Sequence, residues 1–164
     1  MKAVSLVFLL ALSTAARAGE GPEIDSQPIP CTVPEKPMAI CARVTADGQI
    51  NAARIYFRKE GAEFFNFVDM AFGGLNYCGT VPAPRAKTKA VEYYIEAIDD
   101  NFEPRRLSTY RIAVTEGSCE FPPIQKDQAK AAAITVHATN KKQGRKLDEA
   151  FDSTGVTFIP VVAK

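Results

Sequence analysis

The chain has 164 residues, of which 20 are basic, 19 acidic and one is His; its formal net charge is +1, and 46% of it is hydrophobic. A balance so near neutrality gives no general attraction to nucleic acid, whose recognition starts from an excess of Lys and Arg over phosphate-repelling acids. Four cysteines without a CxxC pair, beside a single His, argue against a dithiol redox centre and against a Cys/His zinc site, whose ligands would come from four distant segments.

Residues 1–18, MKAVSLVFLLALSTAARA, join a basic start at Lys2, an apolar run from Ala3 to Leu12 and an Ala16-Arg17-Ala18 ending. This is the pattern of a secretory signal peptide, shorter than the roughly 20 apolar residues of a membrane-spanning helix. Cleavage before Gly19 leaves 18 basic and 19 acidic residues in a mature chain sized for one domain plus tails. The nearest cysteine is Cys31, so no lipid-anchoring cysteine follows the cut. The expectation is an exported protein, periplasmic or extracellular, with no transmembrane segment.

Residues 19–37, GEGPEIDSQPIPCTVPEKP, hold five prolines and read as an extended lead-in with one edge strand near Ile29 to Val33. Six strand signals follow. Met38 to Thr45 puts Ile40, Ala42 and Val44 on one face, and Ala53 to Lys59 sets Ile55 and Phe57 against Arg54, Tyr56 and Arg58. Glu63 to Met70 is apolar on both sides, so alternation does not choose its inward face. After Gly73-Gly74, Leu75 to Val81 places Leu75, Tyr77 and Val81 together. The proline-bearing link at 81–89 delivers the chain to VEYYIEAIDD, where Val91, Tyr93, Ile95 and Ala97 are candidate core and Tyr94 faces outward between Glu92 and Glu96. DDNFEPRR is read as a turn, and Leu107 to Thr115 as a strand with Tyr110, Ile112 and Val114 inward. The pattern predicts an all-β antiparallel sandwich over residues 38–119. Residues 120–164 bring a linker, the ambiguous AAAITVHA, the basic turn NKKQGRK, the ambiguous LDEAFDSTG and the strand VTFIPVV interrupted by Pro160. They are expected to form a hairpin that docks on the main sheet or pairs with another chain.

Side chains alternate along a strand, so Cys41 faces away from Ile40 and Ala42, and Cys78 faces away from Tyr77. As second and fifth strands of a sandwich the two segments would be neighbours. That favours Cys41 with Cys78 and leaves Cys31 to join Cys119, one of three pairings four cysteines allow. An oxidising compartment makes such bridges the ordinary expectation, each contributing on the order of 3 to 4 kcal/mol.

ARIYFRKEG, the VPAP link and VEYYIEAIDD together resemble immunoglobulin-like and fibronectin type III-like modules of exported bacterial proteins, over residues 24–116. The resemblance implies a β-sandwich serving as spacer, adhesion unit or ligand-binding platform, and some relatives bind carbohydrate. The chain departs from these families in having no Trp, and its favoured cysteine pair lies within one sheet. The resemblance also implies that Tyr93 braces the corner where the proline-marked link enters.

Candidate sites are few. His137 stands beside no acid in sequence, and neither a hydrolytic set built on it nor a Cys–His137 pair is favoured. Asp99, Asp100, Asn101 and Glu103 offer oxygens to a calcium ion, but acids in a turn more often bond the local backbone. No catalytic residue, metal or cofactor is therefore assigned. Tyr56 and Tyr94, with Phe65 and Phe67, form a candidate exposed strip for stacking on sugar, against the plainer reading of cross-strand pairing. Lys141, Lys142, Arg145 and Lys146 offer an anionic partner a basic turn, unless they simply keep it solvated. The leading expectation is a non-catalytic module for protein interaction or cell-envelope structure, its partner an envelope or extracellular protein. Carbohydrate binding is the alternative, with a glycan or anionic surface polymer as partner, and hydrolysis through His137 ranks third.

Overall fold

Strand alternation governs the architecture. In the computed structural model, which describes residues 21–119 and 133–162, Val91, Tyr93, Ile95 and Ala97 are fully buried. Opposite them in the core lie Met38, Ile40, Ala42 and Val44, every second residue of another strand. Twelve strands occur among the described residues: β1 (Glu23–Asp25), β2 (Cys31–Thr32), β3 (Met38–Thr45), β4 (Ile50–Lys59), β5 (Asn66–Asp69), β6 (Ala71–Phe72), β7 (Tyr77–Val81), β8 (Ala90–Asp99), β9 (Pro104–Arg106), β10 (Tyr110–Val114), β11 (Ile134–Ala138) and β12 (Val156–Ile159). A small sheet runs β1-β3-β7-β6 and a large one β12-β11-β5-β4-β8-β10-β2, with β9 added to β8. The protein is all-β, two sheets sharing one apolar core. Among the described residues no helix is long and apolar enough to cross a membrane.

At Gly79 of β7 a Cβ would stand 2.7 Å from the Ile55 Cδ1 of β4 and 3.2 Å from Asp69 O. A side chain there would force Ile55 to shift within the core, which favours glycine. Cys41 and Cys78 lie directly opposite in β3 and β7 and are bridged, and Cys31 is bridged to Cys119 across 88 residues. This is the pairing that alternation favoured.

The ambiguous stretch before Met70 is resolved by Val68, which points into the core and leaves Phe67 on the outer face. Several expectations are corrected. Leu75 does not join Tyr77 and Val81: it sits in the turn closed by Gly73 N–H on Asn76 O, ahead of β7, and is exposed. β1, pairing antiparallel with β3, lies in the lead-in where only one strand was anticipated, and β9 lies within the expected turn DDNFEPRR. The Tyr93 hydroxyl accepts from Ile29 N–H at 3.3 Å, so it braces the lead-in and not the proline-marked link. Ile29 is buried, and its amide needs a protein acceptor.

The largest correction concerns the C-terminal segment. β11 and β12 are not a hairpin: they run parallel, Ile134 opposite Val156 and His137 opposite Ile159, while β11 pairs antiparallel with β5. Parallel neighbours require a long crossover. Here the crossover passes over one end of the core, burying Ala150 and Phe151, with Phe151 edge-on to Phe57 at 5.1 Å between ring centroids. The same passage braces the proline-marked link through Arg85 N–H to Ala150 O, Asp152 N–H to Ala83 O and the Thr88 hydroxyl to Ala150 O. Residues 133–162 thus share the core of the strands before them.

Candidate functional site

The outer face of the large sheet gathers the aromatic side chains singled out by sequence, together with His137. Cross-strand register sets Tyr94 of β8 beside Tyr56 of β4, Tyr56 beside Phe67 of β5, Phe67 beside His137 of β11, and His137 beside Ile159 of β12. One row therefore crosses five strands. Tyr94 and Tyr56 stack at 4.7 Å with planes 7° apart, and Phe67 and His137 stack at 4.6 Å and 9°. Tyr56 and Phe67 meet at 5.4 Å. Pairs of this kind are each worth about 0.5–1.5 kcal/mol beyond area burial.

Charged rows flank the rings. On one side the register runs Asp69, Arg54, Glu96, Arg106; on the other Arg58, Glu92, Arg111. Signs alternate along both, which is the favourable cross-strand order. Arg54 bonds Asp69 at 3.1 Å, Arg58 bonds Glu92 at 2.6 Å, and Arg111 pairs with Glu60. The guanidinium groups also reach over the rings: Arg54 over Phe67 at 4.7 Å, Arg58 over Phe65 at 4.2 Å and Arg106 over Tyr94 at 3.5 Å. The Tyr56 hydroxyl donates to Glu96 Oε1 at 3.0 Å. Burial pushes the Tyr56 phenol up; Arg54 pulls it back, and the Glu96 carboxylate adds to the rise. It remains a protonated donor.

Of the strip anticipated as exposed, Tyr94 is buried and Tyr56, Phe65 and Phe67 are half-buried. Tyr94 keeps 7% of its surface, enclosed by Tyr56, by Phe65 edge-on at 5.0 Å and by Arg106. Tyr56 is half-buried. Long arginine stems lying over neighbouring rings explain the difference, because they bury their methylenes while leaving the charge wet. Ring faces that a sugar would stack on are engaged within the protein.

His137 does meet an acid, contrary to its sequence neighbourhood: Nε2 lies 3.6 Å from Asp69 Oδ2. The fold brings the two together from β11 and β5. All four cysteines are bridged, so none is a thiol partner for His137. Asp99 is buried, and its Oδ1 accepts from the amides of Asn101 at 3.0 Å and Glu103 at 2.9 Å, the local backbone bonding typical of turn acids. Among the described residues no cluster of three or more His, Cys, Asp or Glu is arranged to hold a metal ion.

Lys141, Lys142, Arg145 and Lys146 are exposed on the turn between β11 and β12. The turn is held by a capping box in which Asn140 Oδ1 accepts from Lys142 N–H and Gln143 Oε1 from Asn140 N–H. Gln143 Nε2 reaches back to Phe65 O and Asn66 Oδ1. The basic residues are thus tethered beside Phe65, whose ring abuts Tyr94, and none of the four forms an ion pair among the described residues. Sequence reasoning missed Gln143, although Asn140 followed three residues later by Gln is a capping-box signature. It missed the roles of Arg106, Glu92 and Glu96, which only the strand register reveals.

No protein-family model matches this sequence, and a search of curated proteins gives no match.

Proposed function

We propose that the chain is an exported, non-catalytic β-sandwich of the immunoglobulin-like or fibronectin type III-like kind, serving protein interaction or cell-envelope structure in the periplasm or outside the cell. One observation carries this reading: the outer face of the large sheet spends its ring faces and its charges on one another, Tyr94 beneath Arg106 and against Tyr56 above all. A face so closed supports a rigid module that meets partners through its shape and edges, over a stacking platform for carbohydrate. The sandwich kind is supported by the strand order, a four-stranded sheet against a larger one whose core runs β5-β4-β8-β10, with β2 parallel to β10. Export is supported by the signal-like residues 1–18 and by two disulfides, which persist in oxidising compartments.

The test is affinity capture from the native envelope with the intact mature chain. One protein retained in stoichiometric amount, and a blank glycan array, is the expected outcome. Glycan binding that disappears in Tyr94→Ala favours the carbohydrate reading instead, and hydrolase activity lost in His137→Ala overturns both. Truncation at residue 120 is unsuitable, because Val136 and Phe151 belong to the core.

A further inference from the structure

A β-sheet edge carries unpaired backbone donors and acceptors, and proteins blunt such edges with short strands, charges, prolines or covers. Among the described residues the two sheets end in four strands, and a fifth, β9, made of Pro104 and two arginines, pairs only with β8. Of the four end strands three are blunted. β2 is two residues long, follows Pro30, and is tied to Cys119 through Cys31. β1 is three residues with an acid at each end, Glu23 and Asp25. β6 is two residues long.

β12 is the exception. It has four residues, Val-Thr-Phe-Ile, and carries no charge; the uncharged run continues through Pro160, Val161 and Val162. Ile159 is 42% exposed, Val161 37% and Val162 78%. Among the described residues β12 pairs on one side only, with β11. The aromatic row of the outer face also ends here, on Ile159.

We infer that β12 is a self-complementary edge at which two copies of this chain join antiparallel into one continuous sheet. Direct partners in an antiparallel pair share a face, so inner Val156 and Phe158 must meet inner residues, and outer Thr157 and Ile159 outer ones. A two-fold centred on Thr157 achieves this: Thr157 meets its own mate on the outer face, and Val156 meets Phe158 of the second copy twice on the inner face. Threonine–threonine and apolar pairs are favourable cross-strand neighbours. The alternative centred on Phe158 sets Pro160, which has no amide to donate, opposite Val156. In the favoured register the three residues Val156 to Phe158 pair within β12, Ile159 faces Gly155 of the second copy and Pro160 lies beyond them; no like charges meet, so nothing on this edge opposes a second copy as a Lys or Glu would. An isologous contact of this kind closes as a dimer.

The inference goes beyond the proposed function and stands apart from it, since self-association is measured with purified protein alone. Sedimentation equilibrium on the mature chain should show monomer at low concentration and twice that mass at high concentration. Thr157→Lys, which sets two ammonium groups face to face at the two-fold, should leave the far-UV circular dichroism and thermal midpoint unchanged and abolish the dimer. Thr157→Cys should cross-link into a covalent dimer under mild oxidation, and Thr135→Cys, exposed one strand further in, should not. A wild-type chain that stays monomeric up to millimolar concentration overturns the inference and leaves the edge to a strand of another protein. So does a dimer that survives Thr157→Lys, or cross-linking that is as fast from position 135.

Discussion

The centre of the large sheet and its C-terminal flank are parts of one hydrogen-bonded surface, yet they are held in opposite ways. β4 and β8 are buried on the inner face by a continuous series of apolar residues and closed on the outer face by rings and ion pairs, so no single side chain carries them. β11 and β12 hang on a few anchors: Val136, Phe151 and the bonds made by Gln143. The difference teaches that redundancy, more than strand pairing as such, distinguishes a scaffold strand from one whose behaviour a single substitution can change.

Phe151→Ala attacks the flank at its strongest anchor. Removal of a fully buried aromatic should cost about 3–5 kcal/mol, measured by urea unfolding, and hydrogen exchange should quicken in β11 and β12 well before β4 and β8. Equal quickening everywhere would break the comparison. Alkaline titration attacks the centre instead. Burial raises the phenols of Tyr93, Tyr56 and Tyr94 above the ordinary value of 10.0. A raised folded value means that the unfolded chain loses its protons first, so stability is intact below pH 10 and declines as pH climbs through the folded values. Denaturant midpoints across that range should fall, and should fall less in Tyr93→Phe.

What was legible in the sequence divides along the same line. Ile40, Ala42 and Val44, or Val91, Tyr93, Ile95 and Ala97, announce their burial because period two is a property of one strand. The Cys41–Cys78 neighbourhood needed one further step, a guess at strand order. Phe151 was silent, since a lone aromatic in a loop has no period to read. The closure of Tyr94 was illegible for another reason: it depends on Arg106, which reaches it through a strand register that no single segment encodes.

Smaller effects sharpen the picture of the flank. Gln143→Ala removes the side chain that satisfies Phe65 O and the Asn140 amide, and should cost about 1–3 kcal/mol, read as a lower thermal midpoint with β12 exchanging faster. Replacing Lys141, Lys142, Arg145 and Lys146 together by Gln should change stability by less than about 0.5 kcal/mol, because none of them is paired among the described residues. A larger loss in calorimetry would mean that the turn depends on its charges.

The sequence Arg-Tyr-Arg at positions 54, 56 and 58 lies opposite Glu-Tyr-Glu at 96, 94 and 92. Together they work as a key with three teeth. A slip of one residue would turn the whole set toward the core, and a slip of two would put Tyr56 against a carboxylate and an arginine against Tyr94, losing both opposed charges and the ring stack at once. The outer face thus favours this one alignment of the central strands over its near neighbours, by charge and by ring contact together.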